Sequence, residues 1–192
     1  SSATVLTLEA TAGSIVASGA ATLSAGNGIM IQDTFTGSGS TSKPIVMNAD
    51  TDSNASTALQ DGVLTIQTGK ALTSGNNAVL ITAYDVDLDG SINSGTAAVT
   101  IHGAVASQTI GLGATPFNLM VDEDELQRIT NSAGLTLGSS ASGSITVTGA
   151  LDANSKTVTG TVTLIATKAS KKNFYIYIYE LRAMSARNLL DL

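Results

Sequence analysis

Laid over itself at one fixed offset, the middle of the chain repeats. "LTSGNNAVLI" (72–81) falls on "INSGTAAVTI" (92–101), so that Leu72 meets Ile92, Ser74 meets Ser94 and Gly75 meets Gly95. Ala78, Val79 and Ile81 likewise meet Ala98, Val99 and Ile101, and a second step of the same length carries Val99 and Ile101 onto Leu119 and Val121. Elsewhere the spacing loosens: "IVM" (45–47) and "LTI" (64–66) stand 19 apart, while 64 to 80 is only 16. A unit this short cannot bury a hydrophobic face by itself and has to stack on its own copies.

Shorter phrases say what is stacked. The triplet apolar-Thr-apolar occurs as Leu6-Thr7-Leu8, Leu64-Thr65-Ile66, Val99-Thr100-Ile101, Leu135-Thr136-Leu137, Ile145-Thr146-Val147 and Val162-Thr163-Leu164. Each is a period-2 strand with Thr on the face opposite the aliphatic pair. Gly13-Ser14-Ile15, Gly90-Ser91-Ile92 and Gly143-Ser144-Ile145 share an opening, and Gly, Asn, Ser and Asp punctuate between strands, which is turn chemistry.

A period of roughly 20 residues with two or three short strands predicts an all-β chain coiled as a right-handed parallel β-helix, a β-solenoid spanning residues 1–170. Eight or nine coils at the ~4.8 Å inter-strand spacing would make a rod on the order of 40 Å long. An antiparallel sandwich is the other all-β reading of regularly spaced short strands.

Two stretches depart from the repeat. Residues 122–129, "DEDELQRI", read as a short helical insertion, with Asp122 as N-cap, Glu125 completing a capping box and acids crowding the positive end. From Lys171 the chain changes character: "KKNFYIYIYELRAMSARNLLDL" holds three of the four Tyr. This tail (171–192) reads as a strand followed by a helix, either a cap for the last coil or a segment foreign to the repeat.

Composition narrows the function classes. Charged residues are 12% of the chain and aromatics 4%, with no Trp, as a narrow coil with little room for rings requires. Nine basic against 15 acidic residues give a net charge of −6, with no basic cluster before Lys171-Lys172, so nucleic acid is a poor partner. No apolar run approaches the ~18 residues of a membrane span, and none resembles a signal peptide. The chain begins as though cut from something longer. The absence of Cys excludes disulfides, thiol catalysis and Cys-ligated metal.

"LITAYDVDLDGSINSGTAAVTIHG" (80–103), "SQTIGLGA" (107–114), "DELQRITNSAGLTLG" (124–138) and "GSITVTG" (143–149) resemble stock phrases of very large filamentous-haemagglutinin-like repeat proteins. The resemblance covers roughly residues 1–170. It implies an extracellular or cell-surface rod built as a long parallel β-helix, and it transfers no catalytic residue.

"DVDLDGSINSG" (85–95) imitates a calcium loop, with Asp85, Asp87 and Asp89 alternating before Gly90. An EF-hand needs a Glu at loop position 12, where this chain has Thr96, and helices on both flanks, where it has strands. In a strand the alternation puts Val86 and Leu88 inward and the three Asp toward water, with Gly90 at the turn. Calcium is the remaining metal reading, since three outward carboxylates spaced two apart can hold a hard cation weakly; no other cofactor is expected. His102, the sole histidine, is expected at the surface or in a turn. "GLGATP" (111–116) lacks the third glycine of a dinucleotide loop and reads as a turn, and Asn54-Ala55-Ser56 is a lone glycosylation sequon.

The expected function is a structural or adhesive stalk without catalysis, self-stacking with neighbouring repeats of a longer chain. A glycan- or surface-binding module using loop insertions 33–44 and 50–61 is the runner-up. Behind these stand an ice-binding face, which wants two outward Thr per coil, and a polysaccharide-active β-helix enzyme, which wants clustered acids and bases on one face.

Overall fold

The computed structural model describes residues 4–53, 62–114, 116–150 and 152–166. The 171–192 tail and the Asn54 sequon lie outside them. The first twelve strands form four rounds of three. These are β1 (Leu6–Leu8), β2 (Ile15–Val16), β3 (Ala21–Ser24); β4 (Gly28–Ile31), β5 (Phe35–Thr36), β6 (Ile45–Asn48); β7 (Val63–Ile66), β8 (Ala71–Thr73), β9 (Val79–Ala83); and β10 (Asp85–Leu88), β11 (Ser91–Gly95), β12 (Val99–Gly103). There follow β13 (Ile110–Gly113), β14 (Leu119–Val121), helix α1 (Glu123–Gln127), β15 (Ile129–Asn131), β16 (Leu135–Gly138) and β17 (Ile145–Thr148). A 3-10 turn (Asp152–Asn154) and β18 (Val162–Ile165) complete the described elements. The described chain is all-β apart from these short helical pieces.

Every third strand of the four rounds joins the same sheet. The first sheet runs β1-β4-β7-β10, the second β2-β5-β8-β11-β15, the third β3-β6-β9-β12-β16-β18, and the fourth β14-β13-β17. Adjacent strands are parallel throughout, which excludes the antiparallel sandwich. All six apolar-Thr-apolar triplets are strands, and Leu64, Ile66, Val99, Ile101, Leu135 and Leu137 are fully buried. The Gly-Ser-Ile phrase marks strand entry but not a particular sheet: Ile15 and Ile92 enter the second, Ile145 the fourth.

The register of the repeat holds where the sequence shows it best. Leu72 pairs with Ile92, Val79 with Val99 and Ile81 with Ile101. Even the turn is copied: Ser74 Oγ donates to Asn77 O, and Ser94 Oγ to Ala97 O. Beyond it the expected register fails. Val99 and Ile101 pair with Leu135 and Leu137, much further along the chain, whereas Leu119 and Val121 pair with Ile110 and Leu112. Ile45 likewise pairs with Val79 and Leu64 with Ile29, so "IVM" and "LTI" are not neighbours in any sheet. The rounds therefore lengthen by insertion. Among the described residues the third sheet has six strands, spanning about 24 Å at the usual ~4.8 Å spacing.

Inward positions form aliphatic rows. Met47, Ile81, Ile101 and Leu137 lie in consecutive register in the third sheet, each at 0% exposure. Turns are drawn tight against neighbouring rounds. At Gly90 a Cβ would come 2.6 Å from Gln67 O and closer still to Lys70 O, so only glycine fits. The stretch expected as a loop insertion at 33–44 contains β5, and the loop proper, 37–44, is pinned by buried Asn77, whose side-chain amide donates to Ser38 O, Ser40 O, Ser74 O and Gly75 O and whose Oδ1 accepts from Lys43 N.

The first round is less covered than the others. Leu6, Ile15, Ala17, Ala21 and Leu23 are only partly buried, and Val16 is 66% exposed. β1, β2 and β3 are end strands of their sheets among the described residues.

Candidate functional site

The chemistry-bearing side chains gather where the first sheet stops. β10 ends that sheet, and β14 lies against β10 without pairing to it. The 104–128 insertion, which interrupts the repeat, supplies β13, β14 and α1 at this place.

Alternation fixes β10 as expected. Val86 is 3% exposed and Leu88 0%, while Asp87 and Asp89 are exposed. Asp85 is the correction. It does not point to water but is half-buried, its Oδ1 accepting from Val86 N (2.9 Å) and Met120 N (2.8 Å). Burial pushes its carboxyl up to about 6, against the pull of those two N–H groups. Burial also raises Asp87, helped by the Asp89 charge and opposed by Arg128.

The helix forms as the sequence predicts. Asp122 caps it, its Oδ1 accepting from Glu125 N (2.8 Å), and Glu125 Oε2 accepts in return from Asp122 N (2.9 Å). The sequence does not announce the second task of Glu125, whose Oε1 accepts from Leu88 N (3.0 Å). Arg128, just past the helix, donates from Nη1 to Leu88 O (2.6 Å). Both peptide groups of Leu88 are thus met by side chains from one helical turn far downstream in the chain. Burial pushes the Glu125 carboxyl up to about 7; backbone donors at Asp122 and Leu88 pull it down, and the Asp122 and Asp85 charges push it up. The sequence signal near this joint is the capping box of the 122–129 stretch, which breaks the strand repeat; the long step from Val99 to Leu135 appears only in the strand pairing.

Beside the joint lies a depression of ≈ 440 Å³ lined by Gly113, Ala114, Pro116, Met120 and the acids Asp122, Glu123 and Asp124. Among the described residues, no three His, Asp or Glu side chains are grouped so as to hold a metal ion. Asp85 and Asp87 lie in β10 and Asp89 just past its end, and the three have no common focus, since Asp85 turns its Oδ1 to the backbone. His102 sits within β12 rather than in a turn, its Nε2 3.2 Å from Thr82 Oγ1 in the adjacent strand. Glu125 is 8% exposed, and both of its oxygens are engaged by the fold's own N–H groups. Comparison with protein-family models, curated proteins and solved structures finds no match to this chain.

Proposed function

We propose that the described residues are a segment of a right-handed parallel β-helix that serves as a stalk in a larger secreted or cell-surface protein of the filamentous-haemagglutinin-like kind. The observation that carries this reading is the recurrence of every third strand in the same parallel sheet, with aliphatic rows inside and hydroxyl-bearing residues outside. A crossover between parallel strands of one sheet is right-handed in nearly all known cases. Continuous backbone pairing along the axis resists bending, and the partly covered first round presents strand edges on which a further coil would stack. The partner is then a neighbouring repeat, and no catalytic or cofactor role is assigned.

The absence of Cys makes the stacking directly testable. Thr100 and Thr136 are outward neighbours on β12 and β16, well separated in sequence. Replaced together by Cys, they should be joined within one chain by a short bifunctional thiol reagent, whereas a Thr7/Thr100 pair from different sheets should not. Equal yields for both pairs would refute the stacked arrangement. Antibody against this chain should label the outer surface of the cell that makes the parent protein; label confined to the interior would refute the stalk reading.

A further inference from the structure

After the first, each of the four regular rounds opens with a strand that pairs with the opening strand before it. β4 pairs with β1, β7 with β4 and β10 with β7. Past β12 the rule resumes in the fourth sheet: β17, which follows β16 in the chain, pairs with β13, which follows β12. Among the described residues β17 ends that series, the sheet running β14-β13-β17. The carbonyls of Ser144 and Thr148 accept from Ile110 N (2.9 Å) and Ala114 N (2.7 Å), so they face β13. Alternation turns the backbone groups of Ile145 and Val147 to the opposite edge, where no described strand pairs with them. We propose that this edge of β17 is the docking site of residues 174–177 of the same chain, which add to it as a parallel strand and open a further round.

The place where the chain leaves the described residues carries the choice of occupant. β18 belongs to the third sheet, and β3, β6, β9, β12 and β16 of that sheet are each followed by a strand of the opening series. The strand after β18 is therefore due on β17, and residues 167–192 remain to supply it. The step from Leu137 to Val147, laid off from Leu164, reaches Phe174; the step from Ile101 to Leu112 reaches Tyr175. "NFYIYIY" (173–179) stands there and alternates with the period of a strand.

Parity then sets the register. Phe174 and Ile176 go inward beside Ile145 and Val147, which are 8% and 2% exposed, and Tyr175 and Tyr177 stand outside beside Thr146 and Thr148. This takes a step slightly longer than the two above and keeps Lys172 out of the interior. A ring inside such a round has a precedent in Phe35, 3% exposed in β5. Pairing gives the free backbone groups of β17 their partners while the inward side chains extend the aliphatic row. The inference rests on the winding order and not on the stalk reading, and it stands if the parent protein is no stalk.

The chain has no Cys, so introduced pairs in the full chain read the docking directly. With Thr146→Cys and Tyr175→Cys, a short bifunctional thiol reagent should join the two within one chain. The yield should exceed by ~10-fold that of Thr146→Cys with Ile176→Cys, whose side chains fall on opposite faces. Equal yields would overturn the proposal, as would a link joining two chains, which would give the edge to a second copy. Hydrogen exchange supplies a second reading. Ile176→Pro withdraws an N–H and bars the strand, so exchange at Val147 should quicken by ~10-fold or more. Leu112, which pairs with β17 from the β13 side, should keep its rate. An unchanged rate at Val147 would also overturn the proposal, and the cysteine pairs decide alone if the proline chain does not fold.

Discussion

Replacing Ile101 by Ala tests whether the aliphatic rows hold the fold. Ile101 is fully buried and lies in register between Ile81 on β9 and Leu137 on β16, themselves at 0% exposure. The change removes three carbon groups, worth about 2.4 kcal/mol at ~0.8 kcal/mol each, and leaves a cavity whose walls are fixed by the ladders on both sides. Parallel strands above and below cannot close in without breaking their own pairing, so the cavity persists and the total should reach ~3–4 kcal/mol. Thr100 is the internal control. It is next in the same strand, keeps the same backbone bonds and faces outward, so Thr100→Ala should cost no more than ~0.5 kcal/mol. Urea unfolding measures both; with a slope of ~2 kcal/mol/M, Ile101→Ala should move the midpoint by about 1.5–2 M and Thr100→Ala hardly at all. The inside–outside assignment of the third sheet fails if the two cost the same, or if Ile101→Ala costs under ~1 kcal/mol.

Gly90→Ala forces a methyl against the Gln67 and Lys70 carbonyls and should lower the melting temperature by about 5–10 °C, from ~2–3 kcal/mol of overpacking; an unchanged melt would show that the turn is not tight. Asn77→Asp keeps the acceptor for Lys43 N but turns an anion toward four carbonyls, so at pH 7 it should destabilise more than Asn77→Ala and recover on acidification, as thermal melts at pH 4 and 7 would show. The Lys70 ammonium, 2.6 Å from Asp33 Oδ1, and the Ala10 N–H hold the Asp33 carboxyl below the ordinary carboxylate range. The contribution of this group is present at neutral pH and is lost as pH falls through its lowered value; a carboxyl NMR titration should show Asp33 moving back up in Lys70→Ala, and no movement would refute the pairing.

Strand identity is legible because two aliphatic residues flanking a Thr have one stable use, a half-buried strand. The helix is legible for a similar reason: Asp122 and Glu125, three apart, complete a capping box from local geometry alone. Which strand lies beside which is not legible in the same way. Register in a stacked sheet depends on how much chain each turn absorbs, and a short loop and a long one leave the paired strands equally hydrophobic. The extrapolation from Ile101 to Val121 fails on that point, since Val121 looks as suitable a neighbour as Leu137. Asp85 fails differently. Alternation turns it outward, and outward is where β14 then arrives, so a residue assigned to water becomes an acceptor for Met120.

The placement of that insertion has a mechanical consequence. The second sheet passes from β11 directly to β15, and the third from β12 directly to β16, by backbone pairing in both cases. The first sheet instead stops at β10, with β14 and α1 lodged against it. Backbone pairing therefore continues past the insertion in these two sheets, with a register shift between Asn93 and Gly95 in the second, while the first sheet meets the insertion through Asp85, Glu125 and Arg128. A structure of this kind can loosen on one side without parting, because opening that joint sacrifices no bond in the other two sheets. The extra chain in the step from Val99 to Leu135, compared with that from Val79 to Val99, thus leaves the pairing of the third sheet in register on both sides of β12.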